Sequence, residues 1–195
     1  MVRTQQQRRA ETRARLLDAA ITTIIDVGYA RASAAVISRR AGVSDGALFK
    51  HFSTMSGFMA EVSLEVMRRQ LAEFAKLVAE VPSNLPALVG ALTALRDVTG
   101  NATNAVMYEL MVAARTDDTL RSTLNVAMGE YARNIYAAAR TLPGTDQLAP
   151  EQLELMVTLL TNTFDGAALV RAVLPAPELE DRRIALLAEM LTAPH

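Results

Sequence analysis

Helical periodicity, interrupted at short intervals by glycine and proline, runs through nearly the whole chain. Between residues 8 and 27, apolar side chains recur at steps of three and four, which places them on one face of a helix. No stretch alternates β-branched and polar residues as a strand facing solvent does. Ala, Leu, Met, Glu and Arg, which favour helices, are abundant. The sequence therefore predicts an all-α protein.

Glycines and prolines set the predicted helix boundaries. Gly28 ends the first helix, Gly42 separates the second from the third, and Pro82 and Pro86 follow the fourth. We expect nine helices, at about 8–27, 34–41, 44–51, 54–80, 85–99, 103–115, 117–141, 151–174 and 178–192.

Charge is distributed unevenly along the chain. Residues 1–53 carry nine Lys and Arg against four Asp and Glu, whereas residues 54–195 carry eleven against seventeen. A basic head on an acidic body is typical of nucleic-acid binding, although a chance fluctuation in surface charge gives the same pattern. We place the functional boundary here, with 1–53 as one domain and 54–195 as the other.

The second and third predicted helices have the pattern of a helix-turn-helix. Two short helices that cross steeply need a small residue at the crossing, a glycine in the turn and apolar residues that hold them together. Ile37, Ala41 and Leu48 are apolar, Ser38 is small and Gly42 lies in the turn. A helical hairpin that only packs is the alternative.

The segment TRARLLDAAITTIIDVGYARASAAVISRRAGVSDGALFKHF resembles the N-terminal domain of the tetracycline-repressor (TetR) family, over about residues 8–60. ELMVAARTDDTLRSTL and FDGAALVRAVL resemble the family more weakly. The resemblance implies a three-helix DNA-binding domain followed by a helical domain that binds ligand and dimerises. Such a homodimer presents two recognition helices about 34–36 Å apart to a pseudo-palindromic operator in double-stranded DNA. Many family members are repressors that a small molecule releases.

The candidate DNA-binding residues lie at the starts and exposed positions of the second and third helices. Helix starts favour anions, and Lys50 and His51 could reach a phosphate or a guanine edge. The third helix would enter the major groove with its N-terminal end. The full set is Ser33, Arg39, Arg40, Ser44, Asp45, Gly46, Ala47, Phe49, Lys50 and His51.

The chain also departs from the family pattern near this site. Arg3, Arg8 and Arg9 are expected to form a mobile basic arm that enters the minor groove, or else a solvated tail. Four positions lack the polar group that family members usually carry there: Ala32, Ala47, Phe49 and Met55. We expect these changes to weaken DNA binding and flatten its dependence on salt.

The larger domain carries candidate ligand and dimer residues. Flexible thioethers suit an adaptable pocket for a mainly apolar effector, although Met at helical spacing is also ordinary core. The candidate ligand-binding residues are Met107, Met111, Met128 and Tyr131. The last two helices would form a four-helix bundle between subunits, or else be buried within the monomer. The candidate dimer residues are Leu155, Leu159, Asn162, Thr163, Gly166, Val170 and Leu174.

Several function classes find no support in the sequence. Cysteine is absent and histidine occurs twice, as His51 and His195, so thiolate and histidine metal sites are excluded. No catalytic set or cofactor motif is present, and we expect no enzyme activity and no cofactor. The polar N-terminus and the lack of an apolar run of about 18 residues predict a cytoplasmic protein without a membrane partner. A structural or protein-recruiting DNA-binding protein, and a ligand-binding protein that has lost DNA binding, remain alternative functions.

Overall fold

The computed structural model describes residues 4–142 and 145–192. These residues form nine α-helices, two short 3₁₀ turns and no strand, which confirms the predicted all-α class. The helices are α1 (Gln5–Val27), α2 (Ala34–Ala41), α3 (Asp45–His51), α4 (Met55–Ala79), α5 (Ala87–Thr99), α6 (Ala102–Ala114), α7 (Asp118–Ala139), α8 (Pro150–Arg171) and α9 (Pro177–Thr192). Each predicted helix is present, with boundaries shifted by a few residues.

Helix α1 begins earlier than its apolar periodicity predicts. The Thr4 hydroxyl accepts a hydrogen bond from the Gln7 backbone N–H at 3.2 Å, and the Thr4 N–H donates to the Gln7 side chain at 2.8 Å. This reciprocal capping box satisfies two N–H groups at the helix start. Arg8 and Arg9 therefore lie in a helix, so the expected mobile arm is wrong for them, whereas Arg3 lies outside the described residues.

The turn between α2 and α3 requires its glycine. Gly42 has φ +65° and ψ +37°, the left-handed region that side chains with a Cβ rarely adopt. Beyond the turn, the Val43 N–H donates to the Ser38 carbonyl at 3.0 Å. Ile37 of α2 and Leu48 of α3 are completely buried, so the two helices are held by apolar contact on one side.

The chain forms two compact units, each made from two segments. The first comprises Met1–Arg68 and Ala102–Glu130, and the second comprises Arg69–Asn101 and Tyr131–His195. The predicted boundary near residue 53 separates functions and not compact units, and it stays a prediction.

Each unit has a core of its own. In the first unit, α1 contributes Leu16 and Ile24, which are completely buried, and α4 contributes Phe58. In the second unit, Leu92 of α5 packs with residues of α8 and α9, namely Phe164 and Ile184.

Candidate DNA-binding interface

Serine side chains cap both helices of the helix-turn-helix. The Ser33 hydroxyl accepts from the Val36 N–H at 3.4 Å, and the Ser44 hydroxyl accepts from the Ala47 N–H at 3.2 Å. Both serines are exposed. In other proteins, helix starts of this kind bind phosphate.

Helix α3 is fixed on one side and open on the other. Leu48 is its only buried residue. Exposed residues occupy most of the remaining surface, while Ala47 and His51 are half-buried. The exposed ones are Ser44, Asp45, Gly46, Phe49 and Lys50. The candidate residues predicted on α3 thus share a surface that the rest of the first unit leaves uncovered.

Gly46 is not required by the fold. Its φ is not positive, and an added Cβ would meet only the Ser44 hydroxyl, at 3.9 Å. Backbone strain therefore does not explain a glycine at this position. What Gly46 provides is a bare backbone on the exposed side of α3, where another molecule can approach closely.

Helix α2 contributes two arginines at its end. Arg39 and Arg40 are both exposed, and Arg40 forms an ion pair with Asp26 of α1 at 2.6 Å. The charge of Arg40 is therefore already partly countered within the fold.

The carboxyl end of α3 adjoins the first half of α1. The rings of His51 and Phe52 lie 6.3 Å apart, and the Arg13 guanidinium lies 5.5 Å from the centre of the Phe52 ring. Burial lowers the pKa of His51, and the charges of Arg9 and Arg13 lower it further. Arg13 was not predicted from the sequence, although the four-residue spacing places Arg9 and Arg13 on one face of α1.

A carboxylate from α6 supports the turn that precedes the helix-turn-helix. The Tyr29 N–H donates to the Glu109 carboxylate, and a Cβ on Gly28 would meet the same carboxylate at 3.4 Å. Burial raises the pKa of the Tyr29 hydroxyl, with a further contribution from Asp117. Asp117 in turn accepts from the Ser56 hydroxyl at 3.4 Å. These contacts were not predicted from the sequence because the partners are distant in the chain.

The candidate ligand residues are divided between the two units. Met107 is buried, Met111 exposed and Met128 half-buried, all in the first unit. Tyr131 belongs to the second unit, where burial and then the charge of Asp165 raise its pKa to about 12. Tyr131 therefore stays protonated and able to donate a hydrogen bond at physiological pH.

Near Met107, α6 carries a buried polar pair. The Asn104 amide donates to the Tyr108 hydroxyl at 2.7 Å, and both residues are buried. Asn104 therefore does not face water.

The candidate dimer residues lie mostly on the open side of α8. Leu155, Leu159, Val170 and Leu174 are 60–72% exposed. Asn162 and Gly166 are also exposed, and Thr163 is half-buried. The alternative that this face is buried within the monomer is therefore wrong. Exposed apolar residues of α9 extend the set: Leu179, Leu186 and Met190.

Helix α8 also has a length and composition that the sequence did not lead us to expect. By length and composition alone, Pro150–Arg171 could cross a membrane, and 11% of its apolar window is buried. A helix whose apolar side is covered by another protein chain has the same length and composition. These properties therefore do not identify what covers α8.

Comparison with known proteins agrees with this geometry. The family described as bacterial regulatory proteins, tetR family, matches residues 16–62, from the middle of α1 into α4. An HTH-type transcriptional regulator of Mycobacterium tuberculosis is 62% identical over 193 residues, which cover 99% of each chain.

Solved structures show the same fold. A transcriptional regulator of Rhodococcus sp. Rha1 is 26% identical with a TM-score of 0.67, and the match covers 91% of this chain and 94% of that one. The multidrug binding protein EbrR, solved as a complex with imidazole, is 23% identical with a TM-score of 0.65. That match covers 94% of this chain and 96% of EbrR.

A capped, outward-facing α3 and these matches define a helix-turn-helix transcriptional regulator. The chain belongs to the TetR family, and the resemblance found in the sequence is confirmed.

Proposed function

We propose that the protein is a ligand-responsive repressor, which binds a pseudo-palindromic operator as a homodimer and leaves it when a small, mainly apolar effector binds. The observation that carries this proposal is the uncovered side of α3, which runs from Ser44 to Lys50 opposite the buried Leu48. In a helix-turn-helix, this is the side that enters the major groove. The predicted division at residue 53 then separates the DNA-reading domain from the domain that dimerises and binds the effector.

Dimerisation is proposed from α8 and α9. These helices expose several leucines, a valine and a methionine. Clustered exposed apolar side chains, unlike isolated ones, mark sites where proteins associate. A second copy of the chain would cover this face with its own α8 and α9, which a two-fold axis makes self-complementary. The dimer would then carry two α3 helices, one from each copy.

The effector is proposed to be small and mainly apolar. Three of the candidate residues are methionines, whose flexible side chains adapt to irregular ligands. EbrR, which shares the fold, was solved with imidazole, a small ring compound. The relatives are named as regulators, which agrees with a role without catalysis.

The test is selection of bound fragments from genomic DNA by the purified protein, followed by footprinting of the enriched duplexes. The proposal expects protection of two half-sites about one helical turn apart, and loss of protection on adding an effector identified from the neighbouring genes.

Two other outcomes would select the alternative functions. Salt-sensitive binding that no small molecule reverses would favour a structural or protein-recruiting DNA-binding protein. Absence of salt-sensitive binding to any duplex would favour a ligand-binding protein that has lost DNA binding.

A further inference from the structure

Charged side chains from three helices meet where α5 and α8 end and α9 begins. The Arg171 guanidinium of α8 forms an ion pair with Glu180 of α9 at 2.5 Å. Arg96 of α5 forms an ion pair with the next residue of α9, Asp181, at 2.8 Å. All four residues belong to the second unit. The start of α9 is therefore tied to both α8 and α5 through adjacent carboxylates.

Gly100, which follows α5, makes room for the Arg171 guanidinium. A Cβ at this position would overlap the terminal nitrogen Nη2 of Arg171 and would lie 2.6 Å from its Cζ. The backbone does not require glycine here, because Gly100 has φ −90° and ψ 0°, which residues with a Cβ also adopt. The missing side chain therefore serves Arg171 and not the turn.

Glu180 depends on this guanidinium. Its side chain is buried, and within the described part of the chain Arg171 is its only ion-pair partner. Breaking a buried ion pair is costly because the remaining charge stays buried without a partner. The space at Gly100 thus maintains an ion pair that the second unit needs.

The neighbours of this ion pair in the chain are apolar and exposed. Val170 precedes Arg171, Leu174 follows it by three residues, and Leu179 precedes Glu180. Arg171 and Glu180 thus direct their charges at each other, while the residues beside them contribute apolar side chains to the surface that is proposed to dimerise.

We propose that Gly100 determines the dimer surface of α8 and α9 from a distance, by keeping open the space that the Arg171 guanidinium occupies. The proposal rests on the proposed homodimer. A side chain at residue 100 moves the guanidinium, which is the far end of a flexible side chain, and leaves the backbone in place. The ion pair with Glu180 then breaks, and the guanidinium turns to solvent among the apolar side chains that a second copy covers. A charge on that surface must lose its water when two copies associate, so the dimer weakens.

The first measurement is the monomer–dimer dissociation constant of Gly100→Ala by sedimentation equilibrium. This constant should rise about tenfold or more, which corresponds to the loss of one hydrogen bond between charged groups. Circular dichroism and urea unfolding confirm that the variant is folded.

The second measurement repeats Gly100→Ala in a background that carries Arg171→Met and Glu180→Gln. This background removes both charges, so neither is left buried alone, and it should still dimerise. Adding Gly100→Ala should then change the dissociation constant by less than about twofold, because no guanidinium needs the space. Arg133→Met is the control for the loss of an arginine, since Arg133 is exposed on α7 in the same unit. It should leave the dissociation constant unchanged.

The outcomes separate this proposal from the one on which it rests. An equal loss in both backgrounds, or no loss in the wild-type background, would overturn the role of Gly100 but leave the proposed homodimer standing. A background variant that no longer dimerises would also overturn it, because the ion pair would then be part of the interface itself. A wild-type protein that stays monomeric at every concentration would overturn both proposals.

Discussion

Helices α3 and α8 both expose most of their surface, but they expose different chemistry. The seven residues of α3 bury Leu48 alone, and its open side carries a serine cap, a glycine and a lysine. The 22 residues of α8 bury only Leu153 and Phe164, and its exposed residues include the large apolar side chains of Leu155, Leu159, Leu169 and Val170. The open side of α3 suits an anion such as phosphate, whereas the exposed apolar side chains of α8 suit an apolar partner surface that excludes water. Exposure alone therefore does not identify a partner, but the chemistry of the exposed side does.

The largest expected effect comes from placing a charge on the open side of α8. Leu159→Glu should weaken the dimer by about 3 kcal/mol or more, because the carboxylate would be buried without a partner in the subunit interface. Operator binding should fall with it. Sedimentation equilibrium measures the monomer–dimer constant.

Val126→Glu on α7 is the matched control, because Val126 is 73% exposed and lies outside α8 and α9. It should leave the dimer intact. If Leu159→Glu remains as dimeric as the wild type, α8 is not the interface. Flotation of the wild type with lipid vesicles would instead assign the apolar side to a membrane.

The next effect concerns the open side of α3. Lys50→Ala should reduce affinity for the selected operator by about 1–3 kcal/mol if Lys50 contacts a guanine. Fluorescence anisotropy with the operator and with a scrambled duplex separates base contact from phosphate contact. Lys76→Ala is the control, since Lys76 is an exposed lysine far along α4. Equal losses on both duplexes would reassign Lys50 to the backbone.

A smaller effect is expected at Gly46, which also lies on the open side of α3. Gly46→Ala should raise the free energy of unfolding by about 0.5–1 kcal/mol, because alanine suits a helix better and the Cβ has open space. Operator affinity should fall nonetheless, since the methyl group separates α3 from the base edges. A variant that is more stable and binds equally well would show that DNA does not approach at Gly46.

The smallest effect is expected on the buried side of the helix-turn-helix. The Ser38 hydroxyl is buried and makes no hydrogen bond within the described part of the chain. Ser38→Ala should therefore leave the free energy of unfolding unchanged or raise it slightly, because an unsatisfied polar group is removed. A clear loss of stability in chemical denaturation would show that the hydroxyl has a partner.

The sequence predicted local features well. Helix periodicity and the Gly42 turn depend on residues within one or two turns of each other, so their patterns are visible in a single chain. The start of α1 was missed because the Thr4–Gln7 capping box precedes the first apolar residue of the stripe.

Long-range contacts could not be predicted in the same way. The Glu109 carboxylate meets the Tyr29 N–H across 80 residues of sequence, and nothing local in α6 marks that residue as a partner of the turn. Arg13 over the Phe52 ring depends likewise on how α1 packs against the end of α3. Such pairings follow from tertiary packing, which helical periodicity does not specify.

Contact between DNA and the open side of α3 can be measured by amide hydrogen exchange. The measurement compares the protein alone with the protein bound to its selected duplex. Slower exchange across residues 45–50 on binding is the predicted result. Salt-sensitive binding that leaves the exchange of these amides unchanged would contradict the account, because the duplex would then be held by another surface.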